Sequence, residues 1–332
     1  MQFRSRPLPP FATLLGFALL ALAVMVWRWG GTVEDSLHYF HTAQWLRGEV
    51  PASALHAPFP YRLAMPALAA ALPGDVRNNF ALLNWASMAL AAWMMALTVQ
   101  HVALGRRRAL AAGLLLLVAV PTFWYAPYLL VDPGAICARA AFVLALVTGQ
   151  PWLAVGAGLA ATAIREENIL LLAWLFALRC TPALDALLAA ARRVPPTPRG
   201  TLQGATRIDT LPPLALPAAL LLAAAWLLAV RWYLVPGLPS YVWAPSLHTV
   251  LAALADQRSL LSLLSAAIVV LPLAALGWRH APAPLRPLRS LLLLMALPPL
   301  YAALCVRVEG RAIWSLYPFL IPLAVSWRAH KH

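Results

Sequence analysis

The chain has 332 residues, of which 62% are hydrophobic and 11% charged, with a formal net charge of +14. Soluble globular domains carry about 25% charged residues, so this composition excludes a water-soluble fold and asks for a surface covered by lipid. The basic excess does not make a nucleic-acid binder, because the arginines are scattered between apolar blocks and form no continuous face. Cys137, Cys180 and Cys305 fall inside apolar runs, with neither metal-like spacing nor a disulfide pattern.

In chain order, Arg4 and Arg6 lead into an apolar run from Phe11 to Trp29. A crossing needs about 20 residues, so this run reads as a span and not as a cleavable signal. The same criterion marks 80–104, 109–131, 212–231, 259–278, 289–306 and 312–327. The stretch 135–180 breaks at Gly149-Gln150-Pro151 and at Arg165-Glu166-Glu167, giving three short spans at 135–149, 151–164 and 168–180. The expected fold is all-α and polytopic, with about ten transmembrane helices and both termini on one side.

Charge sorts accordingly. Arg4, Arg6, Arg106, Arg107, Arg108, Arg179, Arg192, Arg193, Arg199, Arg207, Arg279, Arg286, Arg289, Arg328 and Lys331 fall on one side, which the positive-inside rule makes cytoplasmic. Glu34, Asp35, Glu49, Asp75, Asp132, Glu166, Glu167, Asp256 and Glu309 fall on the other, leaving only Asp185 and Asp209 inside. The chemistry is therefore expected on the outer face.

Two connections are long. The first outer loop, 30–79, opens with Thr32-Val-Glu-Asp35, a helix-start pattern with a capping threonine and acids in the first turn. A short helix is expected over Ser36 to Arg47, closed by Gly48. Tyr61 to Leu72 is apolar but too short to cross, and reads as an interfacial or re-entrant piece. The second connection, 181–211, is rich in proline and arginine and reads as a cytoplasmic linker. No internal repeat is apparent.

Ionisable residues at the outer membrane ends are costly unless they line a cavity, a partner or water. Glu34 and Asp35, with His38 and Tyr39, offer a carboxylate as general base or simply an acidic first turn. Pro58-Phe59-Pro60-Tyr61-Arg62 stiffens the approach to Arg62, which either grips a phosphate or snorkels to lipid head groups. Asp132 binds substrate or a metal, or caps the next helix. The aromatic residues Trp124, Tyr125 and Tyr128 before it suit an interfacial belt. Arg165-Glu166-Glu167 forms either a mutual ion-pair network or a site for a lipid phosphate; Arg307-Val-Glu309-Gly-Arg311 and His248 with Asp256 and Arg258 carry the same ambiguity. No glycine-rich phosphate loop and no Ser-His-Asp arrangement is found. His38 and His41 share a helical face, without the further ligands that a metal site requires.

The succession Glu34-Asp35…Tyr39…Ala43…Gly48, then Pro58-Phe59-Pro60-Tyr61-Arg62-Leu63, resembles the first outer loop of GT-C-type glycosyltransferases, which use polyprenyl-phosphate sugars. This family includes the protein mannosyltransferases and the aminoarabinose transferase of lipid A. Asp132 matches a second acid in a later outer loop, and Gly158-Leu159-Ala160…Arg165 a Gly-Leu-Ala…basic stretch. The likeness covers roughly the first half of the chain and rests on the order and common sidedness of loose motifs. The family's Asp-Glu pair appears reversed, and no soluble outer domain follows the spans as it does in several members.

The resemblance implies a catalytic core over 1–180, a linker over 181–211 and further transmembrane helices over 212–332. It implies a bacterial inner-membrane enzyme that moves a sugar from a polyprenyl-phosphate donor to a lipid or glycan acceptor at the periplasmic face. Asp35 or Glu34 would be the base, and Arg62 and Arg165 would steady the phosphate. Asp132, Glu166, Tyr61 and His38 would contact substrate. Membrane lipids are the expected surroundings, nucleic acid is not a partner, and a divalent cation is compatible but not indicated. The readings set against it are a transporter or flippase for a lipid or anionic solute, and a non-catalytic membrane component of an envelope assembly.

Overall fold

In the computed structural model of the chain the described residues are 8–192, 207–235, 237–238 and 244–327, with only the backbone described from 182 to 192. Arg4, Arg6, Arg193, Arg199, Arg328 and Lys331, and the middle of the expected linker, lie outside them. Every regular element among the described residues is helical, in agreement with the all-α expectation.

The apolar run at the start forms α1 (Pro10–Met25), extended by a tight turn, Val26–Arg28. The outer loop then supplies α2 (Asp35–Leu46) and α3 (Ala64–Ala71) before the long α4 (Val76–His101). The expected helix after the first span is thus present and stops at Gly48, which holds a φ of 74° that only glycine adopts without strain. Thr32 does not cap it: the capping position is Glu34, and the Ser36 hydroxyl closes the turn on the Val33 carbonyl at 2.7 Å. Arg47 ties α2 to the end of α3 through the carbonyls of Ala70, Leu72 and Gly74. Asp75 caps α4 by accepting from the Asn78 N–H at 2.8 Å.

Several expected spans are divided, and proline divides them. The run 109–131 becomes α5 (Arg106–Leu117) and α6 (Val120–Tyr125), because Ala119 is extended and Pro121 sits in the first turn of the new helix. Next come α7 (Asp132–Val147) and α8 (Pro151–Ile164), separated by Gly149 at φ 66°. The third short span is longer than expected: α9 (Ile169–Arg192) continues through Ala/Leu-rich sequence into the first part of the presumed linker. The span at 212–231 is α10 (Ala215–Ala229), which widens into a π turn at Val230–Leu234.

α11 (Leu247–Ala255) meets α12 (Gln257–Ala267) at 91°. The Asp256 carboxylate caps α12 through the Ser259 N–H at 2.9 Å, so Asp256 and Arg258 belong to a helix corner, while His248 lies at the far end of α11. The remainder is α13 (Val270–Trp278), α14 (Pro287–Met295), α15 (Leu297–Cys305), α16 (Gly310–Trp314) and α17 (Tyr317–Ala324). Pro298 opens α15 and Pro318 opens α17.

Among the described residues four helical stretches, Pro10–Arg28, Val76–His101, Ala215–Leu234 and Ala283–Cys305, are long and apolar enough to cross a membrane, or five if α11 and α12 count as one bent span. These stretches make the chain a multi-pass membrane protein. The other expected spans are shorter or divided helices, as where 109–131 is parted before Pro121.

At the centre, α4 packs against α1, α5 and α7, and α13 against α17. Small residues set these approaches, as in other membrane bundles. A Cβ on Gly113 would lie 2.3 Å from the Phe17 ring, and one on Gly277 only 1.8 Å from the Leu323 carbonyl oxygen. Gly277→Ala is therefore expected to cost about 1–3 kcal/mol, the usual penalty for overpacking. Gly156→Ala, where a Cβ meets nothing within 4 Å, is expected to be neutral or slightly stabilising. Thermal unfolding of the two purified variants in detergent checks the difference.

Candidate functional site

One end of the bundle carries three neighbouring groups of ion pairs, drawn from α2, the turn before α3, the start of α7, the α8–α9 junction and α16. Arg62, on the turn that Pro58 and Pro60 shape, forks onto the Glu166 carboxylate, with Nη2 to Oε1 at 2.9 Å and Nε to Oε2 at 3.0 Å. Its third nitrogen donates to the Tyr39 hydroxyl at 2.7 Å. Tyr39 is buried on α2, with the Phe59 ring edge-on at 5.3 Å. Burial holds its phenol above the ordinary value, against the pull of Arg62 and Arg165.

The α8–α9 junction supplies the next contacts. Arg165 has an extended backbone, which breaks the helix and turns its side chain toward α7. It pairs with Asp132, buried at the start of α7, and with Glu167 at 2.7 Å. Glu167 also accepts from Arg139 at 3.0 Å. Arg139 is fully buried within α7, where it reaches the Asn168 amide oxygen at 2.6 Å and the Ser315 carbonyl at 2.7 Å. Asn168 in turn donates to the Ala161 carbonyl at 2.9 Å.

The C-terminal helices close the network. Arg311 on α16 pairs with Asp35 at 2.5 Å and lies within the field of Asp132 and Glu309. Arg307 holds Glu309 at 2.9 Å and reaches Glu34 at 3.4 Å. Asp35 is thus held by Arg311, whose charge also acts on Asp132, while Glu34 stays at the edge with 66% of its side chain exposed.

The charges of Arg62 and Glu166 support one another. Burial opposes the Arg62 cation, but Glu166 outweighs it and holds the guanidinium well above its ordinary range. The surrounding protein likewise disfavours the Glu166 carboxylate, and Arg62 overcomes this to hold it near pKa 2.

Asp35, Arg62, Asp132, Arg165 and Glu166 are therefore brought together, with Glu34 at the margin. Two expected residues are not in the network. Tyr61 packs with Leu55, Leu63, Val230 and Val235, and carries the Arg231 guanidinium 4.9 Å above its ring. His38 stacks on Phe59 at 4.7 Å and lies 4.9 Å from the His56 ring. Burial, then His56, pulls its basicity below the ordinary value. Among the described residues no three His, Cys, Asp or Glu side chains are placed to hold a metal ion.

Arg139 and Asn168 were not singled out from the sequence alone, whereas Arg311 was marked only as part of an ambiguous late loop. Arg139 had a signal, since a lone arginine inside an apolar helix asks for partners; Asn168 had none. A cavity of about 990 Å³ lies away from the network, lined by Met94, Leu97, His101, Leu144, Gln150 and Gly156 at the opposite ends of α4 and α7. Neither a protein-family model nor a curated protein matches the chain.

Removing one partner from a buried ion pair costs about 3–5 kcal/mol. Arg139→Ala, which takes one of two arginines from Glu167 and leaves the Asn168 amide oxygen and the Ser315 carbonyl without their donor, is expected to lose stability of that order in a denaturation assay, whereas Arg258→Gln at the exposed α11–α12 corner stays near wild type. The pH dependence has a definite sign. Glu166 titrates near 2 in the fold against an ordinary 4.5, so its pairing stabilises above about 4.5 and is lost as pH falls toward 2. The melting temperature is expected to fall across that window, and to fall less steeply in Glu166→Gln.

Proposed function

We propose that the chain is a GT-C-type glycosyltransferase of the bacterial inner membrane, moving a sugar from a polyprenyl-phosphate donor to a lipid or glycan acceptor at the periplasmic face. The observation that carries this reading is the meeting of Asp35, Arg62, Asp132 and Arg165 at one end of an apolar helical bundle. Ionisable side chains in a membrane protein are costly, and their concentration in one place marks a site.

Within this reading Asp35 is the base. Arg311 fixes its carboxylate, and it is less exposed than Glu34. Asp35 takes the proton of the acceptor hydroxyl, the acceptor oxygen attacks the anomeric carbon from the face opposite the phosphate, and the bond to the phosphate oxygen breaks with its electron pair leaving on polyprenyl phosphate. Arg62 is better suited than Arg165 to meet that charge. Its partner Glu166 has 46% of its side chain exposed and can swing aside, whereas Arg165 is clamped between Asp132 and Glu167. Arg165 and Asp132 then hold the site in shape. The catalytic unit extends beyond 1–180, because Arg311 belongs to it.

Ten crossings with both termini cytoplasmic complete the proposal. Arg106, Arg107, Arg108, Arg279, Arg286 and Arg289 fall at connections away from Asp35, as the positive-inside rule asks. A second reading, a flippase or transporter, draws on the separate 990 Å³ cavity, which is lined mainly by apolar residues.

The test is release of polyprenyl phosphate from polyprenyl-phosphate mannose or aminoarabinose, by full-length protein in liposomes containing an inner-membrane lipid extract. Asp35→Asn is expected to slow release by about 10²–10⁴, the usual contribution of a general base, and Glu34→Gln by only a few fold. Wild-type rates in both variants would remove the proposed base. Donor lipid moved across the bilayer without sugar release would favour the second reading.

A further inference from the structure

Arg28 ends the first apolar stretch at the same end of the bundle as the ion-pair network, yet has no part in that network. Its guanidinium lies 4.0 Å from the centre of the Trp27 ring, 4.9 Å from Trp124 and 5.5 Å from Tyr128, and it donates to the Tyr128 hydroxyl. Among the described residues no carboxylate reaches it. Trp27 stacks on Phe123 at 4.4 Å, and Trp27, Phe123 and Trp124 are 42%, 43% and 50% exposed. Aromatic faces steady a cation but do not cancel its charge. Arg28 is thus an uncompensated, pre-oriented guanidinium on an exposed aromatic shelf at the end of a membrane-length helix.

We propose that this shelf is a binding site for an anionic phospholipid. The phosphodiester accepts hydrogen bonds from Arg28, and the acyl chains run down the exposed flank formed by Leu19 and Leu22 of α1, Val26 of the turn that extends it and Val118 of the α5–α6 junction. Charge complementarity selects the occupant: a neutral lipid brings no net charge to offset Arg28. The shelf also touches the network's framework. Tyr128 pairs with Gly31, whose carbonyl accepts from Leu129 N–H at 3.1 Å, and the Tyr128 carbonyl accepts from Asn84 at 2.9 Å. Asp35 and Asp132 each follow within four residues of that junction. A lipid bound at Arg28 stabilises the strip that carries both acids. The proposal stands whether or not the chain is a transferase.

Native mass spectrometry of the full chain in detergent, titrated with phosphatidylglycerol or phosphatidylcholine, tests it. The wild type is expected to bind phosphatidylglycerol about tenfold more tightly, the scale of one charge-assisted contact. Arg28→Gln erases that preference, Arg28→Lys keeps part of it, and Trp124→Leu, which leaves the charge and removes one ring, weakens it a few fold. An unchanged preference in Arg28→Gln would overturn the proposal. So would an equal loss in Arg258→Gln, which removes the same charge elsewhere, or displacement of the lipid by millimolar inorganic phosphate. If Arg28→Gln does not fold, Arg28→Lys and Trp124→Leu decide between these outcomes.

Discussion

Arg139 is the constraint around which the charged end of this protein is arranged. A guanidinium buried inside an apolar helix is tolerated only if its charge and its donors are met. Glu167, Asn168 and the Ser315 carbonyl meet them, and they come from two other parts of the chain. That requirement pins the α8–α9 junction and the start of α17 to α7. Once Glu167 is held there, Arg165 lies against Asp132, and the adjacent Glu166 is presented to Arg62.

The network is graded from inside to outside. Arg139 and Asp132 are buried and held by the half-buried Glu167 and Arg165, while Glu166, Asp35, Glu34 and Arg307 lie toward water. A rigid inner layer supporting an adaptable outer one is what a site for a charged substrate needs, since the outer pairs must open without loosening the fold. The broken helices serve the same end. Proline opens α6, α15 and α17, so chain ends and turns occur where an unbroken bundle would expose only helix flanks.

The sequence made the all-helical, lipid-facing character plain, because composition and run length depend on no tertiary contact. It also marked Asp35, Arg62, Asp132 and Arg165, since charges beside apolar runs stand out. It did not show which carboxylate each arginine chooses. The Arg62–Glu166 and Arg311–Asp35 pairs join residues 104 and 276 positions apart, and no local pattern encodes such a separation. Tyr61 and His38 sit beside the right residues in sequence but turn into other clusters. The breaks within apolar runs were hidden for a related reason: a hydropathy window averages over Pro121 and Pro318, each of which starts a new helix.

The central claim is that Arg62 exchanges its internal partner for a lipid phosphate beside Asp35. Electron cryo-microscopy of the protein in nanodiscs containing polyprenyl phosphate tests it directly. Phosphate density is expected within hydrogen-bonding distance of Arg62, with the Glu166 carboxylate rotated away and Asp35 facing the same space. An intact Arg62–Glu166 fork with the phosphate bound elsewhere would contradict it.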